Sequence, residues 1–271
     1  EFLYLDRATA PTEDEQAAIY VSISEALDGR PLVIRTLDVG GDKPLSYLPM
    51  PREENPFLGV RGIRVGLDKP ELLRTQLRAI LRASEKHDIR VMFPMVTKLD
   101  EIRSVKAMLA EERARLGTDS ALQVGIMVEV PATALMASQF AREVDFFSIG
   151  SNDLTQYTLA MDRGHSRLAP FADAMNPAVL RLISETVKGA HLHDKWVGVC
   201  GGIASDPQAV AILVGIGVDE LSVAVPSIPA VKAEIRVRSL AECQDLATQA
   251  LQQDDASAVR ALVPLEILSG E

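Results

Sequence analysis

Aromatic residues are scarce in this chain: one Trp, four Tyr and seven Phe, 4% of 271 residues. Cysteine is scarcer still, with Cys200 and Cys243 alone. Two cysteines make no disulfide framework, which favours a reducing compartment, the cytoplasm. An excess of basic charge is also lacking. Lys plus Arg number 28 against 38 Asp plus Glu, a net charge of −10 with a pI near 5.0. That argues against nucleic-acid partners and against an anionic membrane surface. No apolar run approaches the roughly 20 residues that span a bilayer, and no secretory leader opens the chain. The chain starts Glu1-Phe2-Leu3-Tyr4 without an initiator Met and reads as one domain, residues 1–271, excised from a longer protein.

What is present is a plentiful aliphatic core. Hydrophobic residues make up 47% and the mean hydropathy is +0.10. With few aromatics, Val, Ile, Leu and Ala must fill that core, as they do in parallel α/β sheets. Seven short apolar runs read as strands: 31–35, 61–67, 89–94, 124–129, 144–149, 196–200 and 218–222. Longer amphipathic segments between them read as helices. Thr12 and Glu15 fit a capping box, and Leu72, Leu73, Leu77, Ile80 and Leu81 recur at helical spacing. This alternation predicts parallel strands joined by right-handed crossovers. The expected fold is α/β, a (β/α)8 TIM-type barrel with its first strand truncated; a doubly wound open sheet is the alternative.

Chemistry in such folds gathers at the C-terminal ends of the strands. There the sequence places Arg35, Asp38 and Lys43 after the first run, Arg61 at the second and Glu129 after the fourth. Asn152 and Asp153 follow the fifth, with Arg163 ten residues past Asp153, and Cys200 ends the sixth. Glu129 and Asp153 supply hard oxygen ligands, the usual protein share of a Mg²⁺ site completed by substrate oxygens and water. Arg35, Arg61 and Arg163 can hold phosphate or carboxylate oxygens bidentately at any relevant pH. Asn152 can donate its amide to the same oxygens. Cys200, between glycines, is a candidate acid, base or nucleophile. Together they suggest a phosphorylated substrate held through a divalent metal.

These motifs resemble a known family. Arg35-Thr36-Leu37-Asp38-Val39-Gly40-Gly41-Asp42-Lys43, Glu54-Asn55-Pro56-Phe57-Leu58-Gly59, Met127-Val128-Glu129-Val130-Pro131-Ala132, Gly150-Ser151-Asn152-Asp153-Leu154-Thr155-Gln156-Tyr157 and Ser227-Ile228-Pro229 are similar to the C-terminal phosphoenolpyruvate-binding domain of enzyme I of the bacterial sugar phosphotransferase system. The resemblance covers nearly the whole chain. It implies a dimeric barrel, with Mg²⁺ on Glu129 and Asp153. It implies phosphoenolpyruvate on Arg35, Arg61, Asn152, Asp153 and Arg163 with Lys43 nearby, and Cys200 as the proton donor that yields pyruvate. It implies partners as well: a phosphohistidine domain N-terminal to this one, the histidine-containing carrier protein, and a second copy in a homodimer. The alternatives are a dikinase or synthase domain of the same wider family, a fused multiphosphoryl transfer protein, and a regulatory phosphoenolpyruvate sensor. Two departures stand out. Gly202 replaces the Glu that follows Cys-Gly in the resembling family, and the Arg-Thr pair that precedes Glu1 there is missing. The first removes a carboxylate beside Cys200 and so bears on its proton affinity and solvent access; the second is expected to lower affinity for phosphoenolpyruvate and to loosen the barrel.

Overall fold

A computed structural model describes residues 1–40 and 45–264. The chain folds into two compact units, residues 1–127 with 143–145 and residues 128–142 with 146–271.

In the first unit, helix α1 (Glu13–Ala26) opens with the expected capping box: Thr12 Oγ1 accepts from the Glu15 backbone and Glu15 returns the bond to the Thr12 N–H. Strand β1 (Leu32–Arg35) pairs in parallel with β2 (Ile89–Phe93), Leu32 opposite Ile89 and Arg35 opposite Met92. Strand β3 (Gln123–Val128) continues the same sense, Arg90 opposite Gln123. Between β1 and β2 lie α2 (Ile63–Asp68) and α3 (Pro70–Ser84), and α4 (Leu99–Leu116) leads to β3. Helix α3 packs against α1 and α4, and Arg74, Arg78 and Arg82 on it are laced to Glu13, Asp14, Glu111 and Glu112 of its neighbours.

A buried polar chain fastens the N-terminal segment. Tyr4 and Tyr20 hydroxyls both donate to Gln16 Oε1, Gln76 Nε2 donates to the Tyr20 hydroxyl, and the Leu37 N–H donates to Gln76 Oε1. Each group satisfies the next, as burial demands. Burial pushes the Tyr4 and Tyr20 phenols above their ordinary range, so both stay protonated donors.

The structure corrects one predicted strand. Residues 61–67 lead into a short helix, α2, although Ile63, Val65 and Leu67 alternate like a strand. Gly62 sits at φ +57°, outside the strand region, and an added Cβ would meet the Met95 side chain at 2.8 Å. The Ile63 N–H donates to the Pro94 carbonyl just beyond β2. The tight turn thus aims the segment inward, and Ile63 and Val65 are buried from a helix.

The second unit carries β4 (Phe146–Gly150), β5 (Trp196–Cys200) and the short β6 (Glu220–Leu221), all parallel, with Gly150 opposite Cys200 and Gly198 opposite Glu220. Every residue of β4 is buried, as expected of a strand covered on both faces. The Phe146 and Trp196 rings stack at 4.5 Å between centroids. Helices α5 (Pro131–Leu135), α6 (Ala137–Phe140), α7 (Ser151–Leu159), α8 (Pro177–His191), α9 (Pro207–Ile216), α10 (Ile228–Arg236), α11 (Leu240–Ala250) and α12 (Ala256–Ala261) complete it. The fold is therefore α/β with six parallel strands among the described residues, where the sequence suggested seven and a nearly complete eight-stranded barrel. No helix among those residues is long and apolar enough to cross a membrane.

Candidate phosphate and metal site

The second unit gathers its site where β4 gives way to α7. Gly150 ends the strand, and Ser151, Asn152 and Asp153 form the first helical turn. Glu129, two residues before α5, lays its side chain over Gly150: a Cβ there would come within 2.6 Å of Glu129 Cγ and 2.9 Å of Oε1. A glycine at the strand end is thus what lets the carboxylate lie against the helix start. Glu129 and Asp153 are 1% and 6% exposed, buried enough that their charge needs compensation.

Arg163 supplies part of it, with Nη1 3.4 Å from Asp153 Oδ2. Gln156, one turn along α7, holds the Arg163 backbone by accepting its N–H at 3.0 Å, and its own carbonyl accepts from Met161. Cys200 ends β5 beside this corner. Ser148 Oγ lies 3.9 Å from its sulfur and Ser151 Oγ donates to its carbonyl at 2.7 Å. Beyond it Gly201 takes φ +88° and the Gly202 N–H donates to Asn152 Oδ1 at 3.0 Å. Asn152, Thr155, Arg163 and Gly202 line a cleft of about 440 Å³ whose far wall is Asp173 and Arg260. Arg260 grips both Asp173 oxygens and Asp206, the cap of α9. Burial alone would raise the Asp173 carboxyl, but the Arg260 and Met175 hydrogen bonds outweigh it and hold it below its ordinary value.

Among the described residues no three His, Cys, Asp or Glu side chains close around a metal. Glu129 and Asp153 offer two buried carboxylates, hard oxygens that would leave most of a coordination sphere to water and substrate. Such a set suits Mg²⁺, which keeps several waters and rarely occupies an all-protein cage.

The first unit holds Arg35 and Arg61. Arg35, at the end of β1, meets Glu1 at 2.6 Å and Asp38 at 3.5 Å. Arg61 Nη2 donates to the same Asp38 oxygen at 3.0 Å and its guanidinium lies 5.9 Å over the Phe57 ring. Arg61 and Asp38 are both 3% exposed. Asp38 thus draws two arginines to one point, and its second oxygen, Oδ1, is buried without a hydrogen-bond partner among the described residues. Gly40, at φ +103°, allows the close approach, since a Cβ there would meet the Val60 carbonyl at 2.5 Å. Lys43 lies outside the described residues.

Within the second unit, then, the structure brings Glu129, Asn152, Asp153, Arg163 and Cys200 to neighbouring strand and helix ends, and within the first it clusters Arg35 with Arg61. Sequence reading missed the supports: Glu1 on Arg35, Gln156 behind Arg163, Ser148 and Ser151 beside Cys200. The signal for two of them was in plain view, because Ser151 and Gln156 share a helical turn or two with Asn152 and Asp153.

Residues 1–240 match the family described as PEP-utilising enzyme, PEP-binding domain. A multiphosphoryl transfer protein of Xanthomonas campestris pv. campestris is 54% identical over 263 residues, 97% of this chain and 31% of that protein. A phosphoenolpyruvate-protein phosphotransferase of Geobacillus stearothermophilus is 51% identical over 241 residues, 87% of this chain and 42% of its own. One of that name from Haemophilus influenzae is 47% identical over 268 residues, 97% of this chain and 47% of its own. The chain thus spans between about a third and a half of the length of these relatives.

Proposed function

The chain belongs to the PEP-binding domains of PEP-utilising enzymes, PEP being phosphoenolpyruvate, and from that membership we propose that it is the substrate domain of a phosphoenolpyruvate-protein phosphotransferase. The observation that carries the reading is the junction of β4 and α7, where two buried carboxylates, an arginine and an amide surround one helix start with a thiol alongside. Hard oxygen donors beside cationic and neutral hydrogen-bond donors are what a metal-bound phosphate ester requires.

In this reading Glu129 and Asp153 hold Mg²⁺, which when bound supplies positive charge against the phosphoryl oxygens as the ester bond loosens. Asn152 and Arg163 donate to those oxygens. The P–O bond to the enol oxygen breaks and a P–N bond forms to a histidine imidazole of a separate domain, which loses its proton. The enolate takes a proton at C3 from the Cys200 thiol and becomes pyruvate; the thiolate recovers a proton from water. The histidine then passes the phosphoryl group to the histidine-containing carrier protein, the first step of sugar phosphotransfer in the cytoplasm. A homodimer belongs to the same reading. The relative named multiphosphoryl transfer protein, at 54% identity, favours a longer fused chain as the natural setting of this domain.

Titration of the chain with phosphoenolpyruvate should give a saturable heat with Mg²⁺ and little without it. With the phosphohistidine domain supplied separately, Cys200→Ala should cut pyruvate release by about 10²- to 10⁴-fold, the usual share of a general acid, while ligand binding persists. Turnover that survives Cys200→Ala removes the thiol from its role.

A further inference from the structure

Position 202 is where the chain departs from the Cys-Gly-Glu pattern of the family it resembles, and its side chain is gone. Its backbone, however, is in use. The Gly202 N–H donates to the Asn152 side chain at 3.0 Å. A backbone N–H can only donate, so the Asn152 atom facing it must be Oδ1, and the amide Nδ2 with its two hydrogens is turned the other way. Gly201 makes the approach possible: at φ +88° and ψ −170°, an added Cβ would lie within 2.9 Å of Asn152 Oδ1 and against Ser151 Oγ. Ser151 Oγ closes the other side of the stitch by donating to the Cys200 carbonyl. The start of α7 and the turn after β5 are therefore joined by two hydrogen bonds, one of which consumes the acceptor end of Asn152.

We propose that Gly202 is a positioning residue, whose N–H locks the Asn152 amide so that its donor end faces the phosphoryl oxygens of the substrate. This deepens, and rests on, the reading of the second unit as a phosphoenolpyruvate site. A role carried by the backbone needs no side chain at position 202: nothing lies within 3.4 Å of a Cβ built there, so an added methyl group fits while loss of the N–H removes the contact.

Proline removes that N–H and sets its ring Cδ where the hydrogen pointed, against Asn152 Oδ1. Gly202 is the first residue of a 3₁₀ turn, a place proline accepts, and the extended ψ of Gly201 suits a residue that precedes proline. Gly202→Pro should weaken phosphoenolpyruvate binding with Mg²⁺ by about 10- to 100-fold, the loss of one hydrogen bond to a charged oxygen. Binding of oxalate with Mg²⁺, a dianion without a phosphoryl group, should hold within about twofold, and Gly202→Ala, which keeps the N–H, should restore phosphoenolpyruvate affinity. A ligand-free readout is at hand because the chain has three asparagines, Asn55, Asn152 and Asn176. With ¹⁵N-asparagine, the Asn152 side-chain amide should behave as a rigid group in the parent chain and in Gly202→Ala, and as an averaged one in Gly202→Pro. Equal losses for phosphoenolpyruvate and oxalate, or an Asn152 amide as averaged in the parent chain as in Gly202→Pro, overturn the proposal. A rigid Asn152 in a parent chain that binds no phosphoenolpyruvate leaves the positioning role standing and defeats the proposed function instead.

Discussion

The two units place their functional groups by different means. In the first, charge does it: Asp38 gathers Arg35 from the end of β1 and the buried Arg61 from the turn before α2 into one ion cluster, and Glu1 adds a second carboxylate to Arg35. In the second, shape does it. Glu129 rests on Gly150, Asn152 is seated by the Gly201–Gly202 turn, and Arg163 is steered by a hydrogen bond to its backbone as well as by its ion pair with Asp153. A site held by charge is vulnerable to losing a charge. A site held by close backbone approach is vulnerable to gaining a methyl group.

The largest effect should follow from uncoupling the charges. Arg61→Met leaves the buried Asp38 with Arg35 alone, 3.5 Å away, and should cost about 3 kcal/mol in urea unfolding, the lower end for a broken buried pair. Adding Asp38→Asn to that variant should return part of the loss. A cost under about 1 kcal/mol for Arg61→Met would mean that charge does not organise the first unit. Next in size is the methyl test of the second unit. Gly150→Ala drives a Cβ into Glu129 and should lower Mg²⁺ affinity about 10- to 100-fold, as when a ligand loses its support. The same change should leave urea unfolding less affected than Arg61→Met does, and the reverse ranking would erase the distinction between the units.

The smallest effect is acid sensitivity of the α1–α3–α4 ion network. Burial alone would raise the Glu13 and Glu112 carboxyls, but hydrogen bonds from Arg78 with Arg82, and from Arg74 with Arg78, outweigh it and hold both below the ordinary glutamate value of 4.5. A carboxyl depressed in the folded chain adds stability above its unfolded pKa and loses it as pH falls through the folded one. Stability from this source should be level from pH 7 to about 5 and decline below about 4.5, on the order of 1 kcal/mol per pair. Glu112→Gln should flatten that decline, and an unchanged acid limb would show that the network is ornamental to stability.

Much of this was legible in the residues themselves, and the exceptions have physical reasons. The capping box at Thr12, the strands ending at Arg35, Gly150 and Cys200, and the placing of Asn152 and Asp153 in a first helical turn all follow from local patterns. Local patterns also misled at residues 61–67. There the alternation of Ile63, Val65 and Leu67 mimics a strand, while the left-handed Gly62 and its contact with residues 94 and 95 decide for a helix. Asp38 could be read as a strand-end acid but not as the partner of Arg61, because the two are 23 positions apart and are brought together through the turns at Gly40 and Gly62. Glu1 on Arg35 and Gly202 on Asn152 are still more distant in sequence, 34 and 50 positions apart, and the latter uses no side chain on the glycine. Hydrophobic period and motif spacing carry no trace of such contacts.

The stack of Phe146 on Trp196 has an optical consequence. Trp196 is the single tryptophan of the chain and starts β5, the strand that ends in Cys200. Emission excited beyond the tyrosine band therefore comes from the second unit alone, whereas Tyr4, Tyr20 and Tyr47 all lie in the first. The molecule thus carries a lamp in one unit only. A melt followed by that lamp and again by far-ultraviolet dichroism will coincide if the units unfold together, and separate into two midpoints if they do not.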